Sequence, residues 1–148
     1  MPEDDTPRLN PAYLNNWETQ YQEDLGLARV AENNDFYEWA CYLSQQAAEK
    51  AVKSVLFKLQ IIPPYNLKRH SIFFLAGFIP KDLFNGLDYG QFEDDCKELF
   101  AHVESARYPA IDGPHCPHLV YTQTAAAIAI EQAERVIDVI NKLKAKIP

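Results

Sequence analysis

With 148 residues, 47% of them hydrophobic, and a formal net charge of -7, the chain has the material for one domain around one core. No apolar run approaches the roughly 20 residues that span a bilayer, and the opening MPEDDTPRLNP lacks the charged-then-apolar layout of a secretory signal. A cytoplasmic protein without a membrane segment is therefore expected. The acidic balance argues against broad, nonspecific nucleic-acid binding, which draws on a surplus of Lys and Arg, but it leaves room for a local basic patch.

Prolines punctuate the chain. Pro2, Pro7 and Pro11 mark residues 1–11 as a flexible leader, and residues 12–148 read as a single helical domain. The first helix is predicted from about Ala12 to about Glu32, because Leu14, Trp17, Tyr21, Leu25 and Ala28 recur at spacings of three and four. Asn34 or Asp35 is then placed to cap the next helix by accepting bonds from its free N–H groups. That second helix, from about Asp35 to Gln60, carries a stripe of Phe36, Ala40, Leu43, Ala47, Ala51, Val55 and Leu59. Ala48, Val52 and Leu56 widen the stripe, so more than one neighbour is expected, and the alanines permit close helix approach.

After the connector PPYNLKRH, Ser71 is placed to cap a short third helix carrying Ile72, Phe73, Leu75, Ala76 and Phe78. A fourth helix is predicted over Asp88 to about Ser105, with Phe92, Cys96, Leu99, Phe100 and Val103 inward. The last is predicted from about Thr122 to Ala145, on a stripe of Ala125, Ile128, Ala129, Ala133, Val136, Ile137, Ile140 and Leu143. No strand alternation appears. The fold class is all-α, an antiparallel up-and-down bundle of four to five helices. Residues 106–121, ARYPAIDGPHCPHLVY, read as a long non-helical connection rich in reactive side chains.

Cys41, Cys96 and Cys116 are too few and too uneven for a disulfide framework, and the first two read as small buried hydrophobes. His115, Cys116 and His118, with Asp112, are zinc-ligand types, yet the cluster is compressed and lacks two separated ligand pairs. No metal site and no cofactor are expected. Lys50, Lys53 and Gln46 share a face of the second helix, and Lys58, Lys68 and Arg69 would extend a basic strip. The physical reading of that strip is a solvated face, with Glu49 neutralising part of it. Trp17, Phe36, Trp39 and Tyr42 read as core or interface anchors, and His70 as a local hydrogen-bonding group at a helix start. No Gly-rich phosphate loop, Gly-x-Ser-x-Gly, His-Glu-x-x-His or Cys-x-x-Cys is present.

LSQQAAEKAVKSVLFKLQ, residues 43–60, resembles the long central helix of the HEPN family (higher eukaryotes and prokaryotes nucleotide-binding). Trp17 and Asp24 are placed as in that family. His70 with Ile72 and Leu75 resembles its His-x-Leu-x-x-Leu segment, Arg107-Tyr108-Pro109 its Arg-Tyr-Pro, and the final helix with Ala129 and Ala133 also matches. The ordered set spans about residues 17–143.

The resemblance implies a helical bundle and a homodimer. Some members are metal-independent endoribonucleases, including toxins of toxin–antitoxin pairs whose partner is a small nucleotidyltransferase. Their motif is Arg, four to six residues, then His. Others lack it and bind a nucleotide, RNA or a partner protein. Here seven residues separate Arg107 from His115 and ten separate it from His118. Arg suits phosphate through its planar fork, and His suits proton transfer near neutrality, so the residue types fit RNA cleavage while the spacing does not. The expectation is therefore a non-catalytic module with Lys50, Lys53, Arg107 and Tyr108 contacting phosphate or base. Two alternatives stand beside it: a ribonuclease using Arg107 and His115, and a protein-interaction adaptor.

Overall fold

A computed structural model describes residues 11–63, 71–110 and 115–148. Its helices are α1 (Pro11–Asn33), α2 (Tyr37–Lys58), α3 (Ile72–Ala76), α4 (Tyr89–Phe100), α5 (His102–Ser105), α6 (Pro117–Val120) and α7 (Gln123–Ala145), with a 3₁₀ turn at Lys81–Phe84. No strand occurs among the described residues. The all-helical bundle expected from the sequence is what forms. Pro11 begins α1; the rest of the expected leader lies outside the described residues.

The bundle's directions follow from side-chain pairs between helices. Glu18 bonds Lys144, Tyr21 bonds Asn141 and Arg29 bonds Glu134, so α1 and α7 run antiparallel. Asp95 pairs with Arg135, and Gln132 donates to Glu98, so α4 is antiparallel to α7 as well. Asp24 with Lys50 and Trp17 with Phe57 give α1 and α2 the same relation. The four long helices thus alternate up and down.

The core is small-residue dense where α2 meets its neighbours. Ala40, Ala47, Ala48, Ala51, Val52 and Val55 on α2 are fully buried, as are Ala126, Ala129, Ala133, Val136 and Ile140 on α7. Side chains of a single methyl let the backbones approach, and Leu56, Leu99 and Leu143 fill the remaining space. The predicted α7 stripe is right except at Ile128, which is half-exposed while Ile130 is buried. Cys41 and Cys96 are fully buried, and burial pushes the Cys41 thiol up to about 12 and raises that of Cys96.

Three local expectations are corrected. Neither Asn34 nor Asp35 caps α2. Asp35 instead takes a left-handed φ of 65° and closes α1, with Phe36 N–H donating to Ala31 C=O and Asp35 N–H to Glu32 C=O. Phe36 occupies the N-cap position and no side chain caps it. The predicted fourth helix is interrupted at Ala101, giving α4 and a separate turn α5. Finally, residues 106–121 are not wholly irregular: Pro117, pre-set in φ at the first helical position, starts the turn α6. Ser71, Asp88 and Thr122 do cap α3, α4 and α7, each accepting from the N–H three residues on.

Candidate functional site

Two successive turns of α2 hold the groups with chemical potential. Tyr42 projects from α2, braced edge-on by Trp39 at 5.9 Å. Arg107, just past α5, lays its guanidinium over the Tyr42 ring at 4.7 Å and beneath its neighbour Tyr108 at 5.0 Å. Its Nε donates to the Val103 carbonyl at 2.7 Å. The fork is thus fixed by one hydrogen bond and two rings, and among the described residues no carboxylate pairs with it. Its terminal nitrogens remain available as donors, the arrangement that recognises phosphate bidentately. Tyr108 is 59% exposed.

One turn earlier on α2 stands Glu38, at the i-4 position to Tyr42 and hence about 6 Å away along the helix. Glu38 is buried, and its Oε1 lies 2.9 Å from His118 Nδ1. Its Oε2 is also buried and has no hydrogen-bond partner among the described residues. His118 comes from α6, rests on the Phe36 ring at 5.6 Å, and is more than half exposed. A carboxylate that accepts a hydrogen bond from Nδ1–H fixes the ring tautomer and leaves Nε2 directed away from it as an acid or base. So α2 aligns Arg107, through Tyr42, with His118, through Glu38.

His115, the histidine that the sequence pairs with Arg107, is held elsewhere. Its Nε2 is 3.0 Å from the Ser105 carbonyl. Because a carbonyl only accepts, Nε2 carries the proton there. Arg107 and His115 are therefore bonded to two different carbonyls at the end of α5, with no hydrogen bond between them. His102 Nδ1 lies 2.8 Å from the Tyr121 hydroxyl. Burial lowers the His102 pKa and raises that of Tyr121 to about 12, so this is a hydrogen bond between two neutral groups.

Lys50 and Lys53 sit further along α2, roughly 12 and 16 Å from Tyr42 by helical rise. Each has a carboxylate. Lys50 pairs with buried Asp24 of α1, which also accepts from Gln20 at 2.9 Å. Lys53 pairs with Glu49 at 3.0 Å. Gln46 donates to Gln45, and Gln45 to Glu49, completing a polar chain on that side of the helix. Lys58 donates instead to the Lys144 carbonyl. Lys68, Arg69, His70 and Asp112 lie outside the described residues. His115 and His118 are bonded to unrelated partners, and among the described residues no group of three or more His, Cys, Asp or Glu converges as a metal site. No described helix is long and apolar enough to cross a membrane.

Sequence reasoning singled out Arg107 and Tyr108 but paired Arg107 with His115 rather than His118, and it missed Glu38 and a site role for Tyr42. Both sit one helical turn apart on the predicted second helix, and that spacing was the available signal.

A family model described as HEPN domain matches residues 15–143. An archaeal HEPN homologue of known structure is 31% identical, covering 91% of this chain and 98% of its own, with a TM-score of 0.69. A HEPN domain protein from Thermotoga maritima is 25% identical over 89% of this chain and 99% of its own, with a TM-score of 0.61. A protein from Thermus thermophilus shares the fold at a TM-score of 0.77 and 24% identity, over 88% and 97% of the two chains. No curated protein matches. With the family model covering nearly the whole bundle and the relatives spanning the same helices, this chain belongs to the HEPN family.

Proposed function

We propose that this protein is a non-catalytic nucleotide- or RNA-binding HEPN module of the cytoplasm, working as a homodimer. The observation that carries the reading is the Arg107 guanidinium, stacked between Tyr42 and Tyr108 with its fork unpaired among the described residues. Arg107 would grip a phosphate and Tyr108 would stack on a base. Lys50 and Lys53 would join only by exchanging Asp24 and Glu49 for phosphate, so their share is secondary. The exposed side chains Phe36, Trp39 and Leu119 around this face support its use by a second copy or by a separately encoded nucleotidyltransferase.

The test is fluorescence anisotropy with short labelled RNA, ATP and GTP on the wild type, Arg107→Ala, Arg107→Lys and Tyr108→Ala. Arg107→Lys retains charge but loses the fork and the stack, so it should weaken binding by about 10-fold. Equal affinity in all four proteins would reject the site; silence across the panel would favour a pure protein-interaction adaptor.

One observation favours a second reading, metal-independent RNA cleavage of the toxin type. Glu38, bonded to His118, lies one turn of α2 from Tyr42, on which Arg107 rests, and a carboxylate-oriented imidazole suits proton transfer. On this reading His118 takes the role that sequence spacing gave to His115. Incubation with labelled RNA in chelator separates them: loss of cleavage in His118→Ala but not His115→Ala supports it. Cleavage in Arg107→Ala and His118→Ala equal to that of the wild type means contamination and rejects this reading.

A further inference from the structure

A cavity of about 370 Å³ opens where the first turns of α1 meet the last turns of α2 and α7. It lies about 24 Å along α2 from Tyr42, at the far end of the bundle from Arg107. Leu14, Asn15 and Glu18 of α1, Lys58 of α2, and Asn141 and Lys144 of α7 line it. The volume is at the lower end of the range for small-molecule sites.

The cavity carries an excess of donors and of positive charge. Lys144 is 7% exposed, unusual for a lysine. Its Nζ donates to Glu18 at 3.1 Å and to the Tyr21 hydroxyl at 3.1 Å. An ammonium has three hydrogens, so one is left. Tyr21 passes its own proton to Asn141 Oδ1 at 3.3 Å, which leaves the Asn141 NH₂ as a further donor. Lys58 uses one of its three hydrogens on the Lys144 carbonyl at 3.0 Å. Two ammonium groups thus face one carboxylate among the described residues, and that carboxylate, Glu18, is nearly half exposed and screened. The C-terminal ends of α2 and α7 and the N-terminal end of α1 meet here, and Lys58 satisfies one carbonyl of the α7 end. Burial lowers the Lys144 pKa, Glu18 partly restores it, and Lys58 lowers it further.

We propose that this cavity binds the carboxylate of a small organic acid, held by Lys58, Lys144 and the Asn141 amide, with the Leu14 wall taking a short carbon chain. Among the described lining residues the side chains carry an excess of one formal positive charge, which matches a monoanion, and a carboxylate's two oxygens match the spare donors of two lysines.

The test is NMR of the lysine ε-methylene groups in the full chain, titrated with butyrate and, separately, with inorganic phosphate. Butyrate should shift the Lys144 and Lys58 signals saturably, with a midpoint on the order of 1 mM, and should raise the Lys144 pKa towards its ordinary value. Lys58→Gln should weaken the midpoint about 10-fold, and Arg107→Ala should leave it unchanged. Lys144→Met should abolish it; if that variant fails to fold, Lys58→Gln carries the test alone. No saturable shift, an unchanged midpoint in Lys58→Gln, or tighter saturation by phosphate than by butyrate would each overturn the assignment.

Discussion

Glu38 and His118 are 80 positions apart in the chain and 2.9 Å apart at Oε1 and Nδ1. The contact ties α6, a single turn started by Pro117, to the opening turn of α2. It also supplies the one hydrogen bond that this buried carboxylate makes among the described residues, since Oε2 has no partner there. Burying a carboxylate this way is costly unless a donor compensates it. The pair therefore has a structural consequence independent of any reaction.

Removing His118 alone should hurt more than removing both partners. His118→Ala leaves both Glu38 oxygens without a donor and should lower the unfolding free energy by about 1–3 kcal/mol. In Glu38→Leu/His118→Ala the buried charge is gone, and most of that loss should be recovered. Urea unfolding of the two variants measures the difference. A double variant less stable than His118→Ala would show that the carboxylate contributes through something other than His118.

The lysine pair of α2 follows the same logic. Asp24 is buried between α1 and α2 and accepts from both Lys50 and Gln20. Lys50→Met should destabilise the chain by about 2 kcal/mol because it strips the charge partner from Asp24. Lys53→Met strips the charge partner from Glu49, which is likewise buried and keeps Gln45 as a donor, and should cost a similar amount. If phosphate binding draws on Lys50, affinity falls with Lys50→Met but not with a stability-matched core variant; measuring both resolves the two roles.

The helical period carried most of the bundle and little of the site. Ala47, Ala51, Ala129 and Ala133 recur on one face because each must admit a neighbouring backbone, so their burial is written into the local spacing. Asp35 misleads because Asp is favoured at an N-cap, whereas here it tolerates the left-handed turn that ends the preceding helix. Pro117 reads as a breaker, although its fixed φ also suits the first position of a helix. Arg107 was legible by type. Its partner Tyr42 was not, since an aromatic at helical spacing looks the same whether it packs in the core or lies under a guanidinium. The Glu38–His118 contact spans most of the chain and leaves no periodic trace.

The alanine faces of α2 and α7 set a limit on side-chain volume. Ala133 is fully buried, and Ala133→Leu would drive three extra carbons into a space where the backbones already approach closely. Overpacking of this kind should cost about 1–3 kcal/mol, lowering the thermal midpoint by roughly 2–12 °C for a domain of this size. Ala127→Leu, exposed on the same helix, is the control and should leave the midpoint nearly unchanged.

His102 should make folding stability fall in mild acid. Burial holds its pKa below the ordinary histidine value, and its Nδ1 is bonded to the Tyr121 hydroxyl. Protonating the ring places a charge in a half-buried site. The unfolded chain, with a histidine pKa of about 6.5, then binds a proton more readily than the folded one. The contribution is therefore fully present above about pH 6.5 and is lost as pH falls through the lower folded value. Carboxylates titrate in the same direction further down, so the comparison must be with a variant. His102→Asn keeps a neutral hydrogen-bonding group within reach of Tyr121 and removes the titration. Urea midpoints at pH 7.5 and 5.5 should fall in the wild type by more than in His102→Asn; equal falls would mean that His102 does not govern this window.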